Sequence, residues 1–333
     1  LMTPDLRLEV SMKHALKTVV AAFATLTAFG ALAQDAWPNK PITMVVPYAP
    51  GGYTDTVGRI TARYLEQALG VNVLVDNRAG AGGIVGTQAV ARAPADGYTL
   101  CMCSAGAISI APLAQKTGYD PLKDLAPVSI VSTIPQTVIV NNNLPVKSMD
   151  ELVAYAKANP GKVTYGSSGT GGLMHYSVAL FQMRTGTKMT HVPFKGGAPA
   201  TAAVVSGEVA ISFTNMTDAL PQMEAKALRA LAVTSVERSP FAPDLPTVAE
   251  ASRLKGYSAE SWNGVMAPGG TPDPVMKKLS DAFAKMAKDE TVMKAMAVAG
   301  ASTVFTTVPE FRTRIADEMS QWRDLLKEIQ DAK

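Results

Sequence analysis

Strand-like apolar runs alternate with helix-like amphipathic stretches along this chain, and the alternation occurs twice. The first series starts with a β-rich segment over 42–46, continues through a helical pattern of three- and four-residue spacing, and includes a strand over 100–103. A long extended stretch over 128–140, which Pro135 interrupts, separates it from a second series that starts with a helix over 149–158. Alternating strands and helices favour parallel sheets covered by helices on both faces. The sequence therefore predicts two α/β lobes.

The chain passes between the lobes twice in this interpretation. The crossings fall near 128–140 and 257–267, and the following C-terminal part is helical and too poor in strands for a sheet of its own. We expect those C-terminal helices to pack back on the first lobe. This arrangement is typical of a hinged clamshell. It predicts a lobe 1 formed by 35–134 plus 261–333 and a lobe 2 formed by 135–260.

The N-terminal segment has the pattern of an export signal. Lys13 and Lys17 give it a positive start, 18–30 is a run of apolar and small residues too short to span a bilayer, and 31–33 is an A-x-A cleavage pattern. We expect residues 1–34 to be a signal peptide with an upstream extension. The mature protein is then expected in the periplasm.

Composition excludes several classes of protein. A hydrophobic share of 47% and a charged share of 18% exclude a disordered chain. A net charge of +3, from 31 basic and 28 acidic residues, is too small and too evenly spread to indicate a nucleic-acid partner.

The cysteines and histidines predict neither a disulfide framework nor a metal site. Cys101 and Cys103 share one face of a predicted strand, at a spacing that is too wide for an easy bridge. We therefore expect two small buried apolar side chains there. The histidines show no metal-ligand spacing, so the sequence predicts no metal and no other cofactor.

Three glycine-rich loops follow predicted strands and open predicted helices. They cover 47–55, 165–172 and 191–197. Ligands of open α/β sheets bind at the carboxyl ends of strands, and a helix start offers unpaired N–H groups and a positive dipole end to an anion. Since the first loop lies in lobe 1 and the others in lobe 2, we expect two anion cradles to face each other across one cleft. Plain strand–turn–helix connections are the alternative for each loop, and a solvated side chain is the alternative for Lys195.

Two weaker patterns miss known motifs. Gly80-Ala-Gly-Gly83 loosely resembles G-x-G-x-x-G, but its spacing fails at Gly86 and it follows the second strand, so a structural turn is expected. The run 166–170 misses G-x-S-x-G because it ends in Thr. A secreted hydrolase that uses Ser168 and His175 stays an alternative, although the sequence supplies no residue to orient the base. We expect His175 to pack at a helix start or to contact ligand.

Six stretches of the chain carry motifs of a known family, and five of them contain Pro, Gly or Asp. They are 37–55 with Arg59 after it, 75–83, 95–100, 165–169, 192–196 and 228–234. Together they resemble the substrate-binding proteins of tripartite tricarboxylate transporters, the Bug family. The resemblance implies an α/β periplasmic binding protein of the two-lobed type II, or Venus flytrap, class. Its two mixed sheets would be flanked by helices and joined by a two-strand hinge.

The resemblance also implies a function without catalysis. The protein would capture a small carboxylate, aliphatic or aromatic, with one or two carboxyl groups, and deliver it as a monomer to the membrane permease subunits of a tripartite transporter. A clamshell of the same fold that signals to a membrane receptor is left open as an alternative.

The residues that the resemblance assigns to ligand contact come from loops of both lobes. In lobe 1 they are Tyr48, Gly52, Tyr53, Thr54, Asp55, Ser104 and Ala105. In lobe 2 they are Ser167, Ser168, Gly169, Thr170, His175, Lys195 and Thr214. Backbone groups and ordered waters would hold the ligand carboxylate.

Two positions depart from the family pattern. Thr214 stands where members often carry Asp, and the loss of an acid that could hold an ammonium group disfavours an amino-acid ligand. Tyr53 stands where smaller residues are common, and we expect it either to stack on an aromatic acid or to line the mouth of the cleft.

Overall fold

The structure, a computed structural model, describes residues 37–331. The signal peptide predicted over 1–34 lies outside the described residues. The strands are β1 Ile42–Val46, β2 Val73–Asn77, β3 Thr99–Ser104, β4 Leu125–Val140, β5 Thr164–Ser167, β6 Thr190–Pro193, β7 Ile211–Asn215, β8 Arg229–Val233, β9 Glu260–Pro268 and β10 Ser302–Thr303. The helices are α1 Tyr53–Leu69, α2 Ile84–Ala91, α3 Ala111–Ala114, α4 Met149–Ala158, α5 Leu173–Thr185, α6 Gly197–Ser206, α7 Met216–Glu224, α8 Val248–Ser252, α9 Asp273–Met286, α10 Glu290–Val298 and α11 Val308–Asp331.

Two mixed sheets meet on one long strand, β4. The first sheet has the order β2-β1-β3-β9-β4, with β10 also paired to β4. The second has the order β4-β7-β5-β6, with β8 also paired to β4. In each sheet parallel pairs (β1 with β2 and β3, β5 with β6 and β7) join an antiparallel pair on β4. The predicted α/β fold with two mixed sheets is confirmed. We call the half built on the first sheet lobe 1 and the half built on the second sheet lobe 2.

Pro135 lies inside β4, where the sequence predicts an interruption. The strand is continuous, but its neighbours change at this point: Pro135 is paired with Glu260 of β9, whereas Gln136 is paired with Asn215 of β7. Proline cannot donate a hydrogen bond to a ladder, so it is tolerated where a ladder changes or ends. Pro135 therefore marks the passage of β4 from one sheet to the other.

Each lobe has its own apolar core, and the last helix joins both. Phe311 and Ile315 of α11 belong to the core of lobe 1, whereas Trp322, Leu326 and Ile329 belong to the core of lobe 2. At about 1.5 Å per residue, the 24 residues of α11 are long enough for this. The sequence suggests that the C-terminal helices pack on lobe 1 alone, but α11 packs on both lobes. The lobe bounds at 134 and 260 stay a prediction.

The expectation that the cysteines do not bridge is wrong. Cys101 and Cys103 form a disulfide, and both residues are fully buried in β3. They share a face of the strand as expected, but their Cα atoms lie 5.2 Å apart, which is within the range that a disulfide needs. The error lies in the assumption of an ideal, fully extended strand.

Several short elements escape the sequence analysis. A π-helical turn, Gly106–Ile110, runs into α3, and α7 follows β7 directly despite Pro221 inside it. Their polar and apolar residues do not follow a clear helical period, so periodicity gives no signal for them. Among the described helices, none has the length and hydrophobicity to cross a membrane.

Replacement of Phe311 by Ala should lower the free energy of unfolding by about 3–5 kcal/mol. Phe311 is fully buried, and its ring meets that of Trp262 edge-on with the centroids 5.1 Å apart. Urea denaturation followed by circular dichroism measures the loss. The control is Met293→Ala on α10, whose side chain is 48% exposed and whose removal should change stability by less than about 0.5 kcal/mol. A comparably small effect at Phe311 would contradict the packing described here.

Candidate ligand-binding cleft

A cavity lies between the lobes, and its space, together with the part continuous with solvent, is about 430 Å³. It is reached from the carboxyl ends of β1 and β3 in lobe 1 and of β5 and β7 in lobe 2, the edge where open α/β sheets bind ligands. Both lobes contribute to its wall. The lining residues are Tyr48, Ala49, Gly52, Tyr53, Thr54, Ser104, Gly106, Gln136, Ser168, Leu173, Met174, Gly197, Asn215 and Ser261.

Three helices begin at this cavity with a glycine at the N-cap position. Helices α1, α5 and α6 start after Gly52, Gly172 and Gly196, which have no side chain to cap them, and the Asp218 carboxyl accepts a hydrogen bond from the Tyr53 N–H at the start of α1. By contrast, Ser148 caps α4 away from the cavity, where its hydroxyl accepts a hydrogen bond from Glu151 N–H. The first N–H groups of a helix have no partner inside the helix, and they carry its positive dipole end. The cavity is therefore surrounded by backbone donors suited to an anion.

The side chains that line the cavity are neutral. No lysine, arginine or carboxylate belongs to the lining formed by residues 37–331. Burial raises the pKa of Tyr48 to about 12, although a hydrogen bond with Ser104 opposes the rise, so this phenol stays protonated at neutral pH. Its hydroxyl donates to the carbonyl of Gly82 at 2.8 Å and lies 2.8 Å from the hydroxyl of Ser104. An anion in this cavity would thus be held by neutral hydrogen-bond donors.

Six of the residues assigned by resemblance line the cavity. They are Tyr48, Gly52, Tyr53, Thr54, Ser104 and Ser168. Tyr53 is 1% exposed, and its hydroxyl donates to Ser132 Oγ of β4 at 3.1 Å. The ring of Tyr53 is therefore anchored inside lobe 1, and its two expected roles, stacking on an aromatic acid or lining the mouth of the cleft, stay predictions.

Asp55 lies outside the lining and braces the first loop. Its carboxylate accepts hydrogen bonds from Gly51 N–H and Arg59 Nε, both at 2.9 Å, and from Asn77 Nδ2 at 2.8 Å. Burial favours the neutral acid, but these bonds outweigh it and hold the pKa of Asp55 below its usual range. Asp55 thus fixes the conformation of the loop that leads into α1.

In lobe 2, the assigned residues around the serine loop contact each other and not the cavity. Ser167 Oγ lies 2.6 Å from His191 Nε2, and the ring of His191 stacks on that of His175 with the centroids 4.1 Å apart. His175 Nδ1 in turn accepts a hydrogen bond from Gly171 N–H at 3.3 Å. These contacts hold the loop that presents Ser168.

The remaining assigned residues also lie outside the lining. Ala105 borders a separate groove beside α11, and the Lys195 side chain is exposed. Thr214 Oγ1 accepts a hydrogen bond from Thr201 at 3.0 Å and is buried. Gly169 and Thr170 pack against Gly82 of lobe 1.

Backbone contacts between the lobes close the cleft. Ala49 N–H donates to the carbonyl of Lys195 at 2.9 Å, and Gln115 Nε2 donates to the carbonyl of Thr170 at 3.3 Å. Gly82 lies directly against the segment 170–172: a Cβ there would come within 2.7 Å of the Thr170 carbonyl. The turn that the sequence presents as merely structural is therefore part of the surface on which the lobes close.

The sequence analysis misses the floor of the cavity. Gln136, Asn215 and Ser261 come from β4, the end of β7 and β9, the strands where the lobes join, and we call these three residues the hinge floor. Gln136, the one amide side chain in the β-rich stretch 128–140, is the one local signal that points to such a role.

An acid is present near the position where Thr214 replaces the family's Asp. Asp218 lies one helical turn later in α7, is 7% exposed, and accepts a hydrogen bond from Thr214 at 3.4 Å. Burial raises its pKa to about 7, although hydrogen bonds with Thr214, the Tyr53 backbone and Asn215 oppose the rise. Its carboxyl lies against Gly52 of lobe 1 and Gly197 of lobe 2. Asp218 thus supplies a buried carboxyl beside position 214.

Replacement of Gly82 by Ala should hold the lobes apart. The added methyl group would meet backbone atoms of residues 170 and 172. Small-angle X-ray scattering should show a larger radius of gyration than that of the unsubstituted protein. The matched control is Gly161→Ala, which has a similar positive φ (+75° against +65°) but nothing within 4 Å of its Cβ. Identical scattering from both variants would contradict this role for Gly82.

Replacement of Asp218 by Asn should change how stability depends on pH. Since the folded pKa of Asp218 is raised from 3.8 to about 7, its contribution to stability is present below about pH 4 and is lost as the pH rises to about 7. Asn does not titrate, so the free energy of unfolding of the variant minus that of the wild type should rise by about 4 kcal/mol from pH 4 to pH 7. Urea denaturation at both pH values measures this difference, and a constant difference would contradict it.

No group of three or more His, Cys, Asp or Glu within the described residues is arranged to hold a metal ion. The lining offers helix N-termini, hydroxyl groups and side-chain amides.

Comparison with known proteins places this architecture in a family. The family model of the tripartite tricarboxylate transporter family receptor matches residues 57–330. The protein BugT of Bordetella pertussis is 38% identical over 325 residues, which cover 96% of this chain and 98% of BugT.

Two similar solved structures contain small carboxylates. An R. palustris protein with adipate matches at a TM-score of 0.85 and 33% identity, covering 88% of this chain and 98% of that chain. MatC from Rhodopseudomonas palustris with bound malate matches at a TM-score of 0.83 and 30% identity, covering 87% of this chain and 99% of that chain. This chain belongs to the tripartite tricarboxylate transporter family receptors, the family of the Bug substrate-binding proteins.

Proposed function

We propose that this periplasmic solute-binding protein captures a small carboxylate in the cavity between its lobes and delivers it to the membrane permease subunits of a tripartite transporter. The observation that carries the proposal is the meeting of three helix N-termini, each with glycine at the N-cap position, at one cavity between the lobes. Such starts stabilise negative charge through backbone N–H groups and the helix dipole. The adipate and malate held by two similar proteins belong to the same chemical class.

The ligand-binding residues proposed are those that both the resemblance and the cavity support. They are Tyr48, Gly52, Tyr53, Thr54, Ser104 and Ser168. The glycine at position 52 keeps the start of α1 open, because a Cβ there would come within 3.2 Å of Asp218 Oδ1. The loops that carry these residues are held by contacts outside the lining, which come from Asp55, Ser167, His175 and His191.

The site is proposed to bind without turnover. The hydrolase alternative pairs Ser168 with His175. The Nδ1 atom of His175 accepts from Gly171 N–H, and His191 lies within hydrogen-bonding distance of Ser167. We therefore assign both histidines to holding the serine loop and not to activating Ser168 as a nucleophile.

Export and assembly complete the proposal. Residues 1–34 would direct the chain to the periplasm, where the mature protein would work as a monomer. Its partner would be the permease subunits of the transporter, which receive the closed, loaded form.

A thermal-shift screen of mono- and dicarboxylates, with adipate and malate included, should identify ligands that raise the melting temperature. A ligand at 100 times its Kd should add about 2.7 kcal/mol of stability. Neutral sugars and organic cations serve as the negative set. If a sugar or a cation stabilises the protein and every carboxylate fails to do so, the proposal is wrong.

Two variants connect the effect to the cavity. Ser168→Trp should abolish the shift, because Ser168 lines the cavity and the indole would fill it. Lys195→Ala should leave the affinity for the same carboxylate within about twofold, since the side chain is exposed and outside the lining. A large loss at Lys195 would instead indicate a cationic anchor.

A further inference from the structure

The hinge floor contains buried polar atoms that the protein does not satisfy. Both amide atoms of Gln136, Oε1 and Nε2, and the Oδ1 atom of Asn215 have no hydrogen-bond partner among the described residues. Gln136 is 0% exposed, and it is paired with Asn215 across β4 and β7. Both residues line the cavity. The two residues therefore border the space in which a ligand would lie, with their unpartnered atoms buried beside it.

Such atoms are costly to leave unpaired. A buried donor or acceptor without a partner costs about 1–3 kcal/mol, and most buried polar groups in native proteins are paired. An apolar residue of the same size would avoid this cost at a position that is 0% exposed. The presence of a glutamine at this position points to a partner that enters from the cavity.

The neighbouring acid fixes the direction of the Asn215 amide. Asn215 hydrogen bonds to the Asp218 carboxyl, which commits its NH₂ group and leaves its carbonyl oxygen as an acceptor. Asp218 Oδ1 also finds no partner among the residues that the structure describes. The hinge floor and Asp218 thus offer three unpartnered oxygens, and the NH₂ group of Gln136 offers two donor hydrogens.

The balance of hydrogen-bond donors and acceptors at the hinge floor differs from that of the rest of the cavity. The helix N-termini and hydroxyl groups of the wall supply donors, which suit a carboxylate. A second carboxylate, which only accepts, would leave the acceptors of Gln136 and Asn215 unpaired. An ammonium group, which only donates, would leave Gln136 Nε2 unpaired. A hydroxyl or a primary amide both donates and accepts, so it pairs with Gln136 in both directions.

We propose that the ligand carries, beside its carboxylate, a hydroxyl or primary amide group that binds Gln136 and Asn215 at the hinge floor. This inference rests on the proposed function, because it assigns the second half of the same ligand. It makes the protein a receptor for hydroxy or amide derivatives of carboxylic acids in preference to plain dicarboxylates. Gln136 is then the residue that determines this specificity.

Isothermal titration calorimetry with matched acids tests the preference. For chain lengths of three to six carbons, the probes are the plain monocarboxylate, the dicarboxylate, the hydroxy acid and the monoamide. At the length that binds best, the hydroxy acid or the monoamide should bind at least tenfold tighter than both plain acids. Equal or tighter binding of a plain acid overturns this inference, whereas binding of no carboxylate at all overturns the proposed function.

The variant Gln136→Met separates a ligand-binding glutamine from a structural one. Methionine has nearly the same shape but no amide, so the ligand-free variant should melt at a higher temperature than the wild type. Its affinity for the preferred hydroxy acid or amide should fall at least tenfold, while its affinity for the plain acid of equal length changes less than threefold. The matched control is Thr137→Val, the next residue of β4, which faces the other side of the sheet and should leave both affinities unchanged. A lower melting temperature, or an equal effect on both acids, would show that Gln136 is structural.

Discussion

Strand β4 belongs to both sheets, and the rest of the structure depends on this shared strand. From Leu125 to Pro135 it is paired with β9 in lobe 1, and from Gln136 to Val140 it is paired with β7 in lobe 2. Because hydrogen bonds of two ladders hold one continuous backbone, the lobes can rotate about this strand but cannot separate. The cavity lies where the strand changes partners, so its floor is built from the hinge itself. Ligand contact and lobe closure are thereby coupled through the same residues.

The walls of the cavity achieve anion binding without cationic side chains. Backbone N–H groups at helix starts have fixed positions, and they lose no side-chain entropy when a ligand binds. Glycines make this possible, because at Gly52 and Gly82 a side chain would collide with the opposite lobe. Asp218, buried beside this site, adds an acid to a region that otherwise favours anions. Its raised pKa keeps part of it neutral near pH 7, which lowers the repulsion between it and a bound carboxylate.

The hinge floor illustrates how stability and function compete. The unpaired amide of Gln136 lowers the stability of the ligand-free fold, and an apolar residue in β4 would serve packing better. The same amide is useful only when the lobes enclose a ligand with matching groups. The specificity that we infer therefore lies in neutral polar atoms that have no hydrogen-bond partner until a ligand binds. The net charge of the chain gives no indication of this specificity.

The sequence by itself determined the alternation of strands and helices and the loops at 47–55 and 165–172, because apolar periodicity and glycine-rich helix starts are local signals. The family resemblance carried most of the candidate site, and six of its assigned residues reach the cavity. The tertiary structure alone decided that Asp55 accepts a hydrogen bond from Arg59, that Cys101 and Cys103 form a disulfide, and that α11 packs in both cores. It alone also placed Gln136 beside Asn215. Such facts depend on register and pairing between distant strands, which no local pattern of residues can specify.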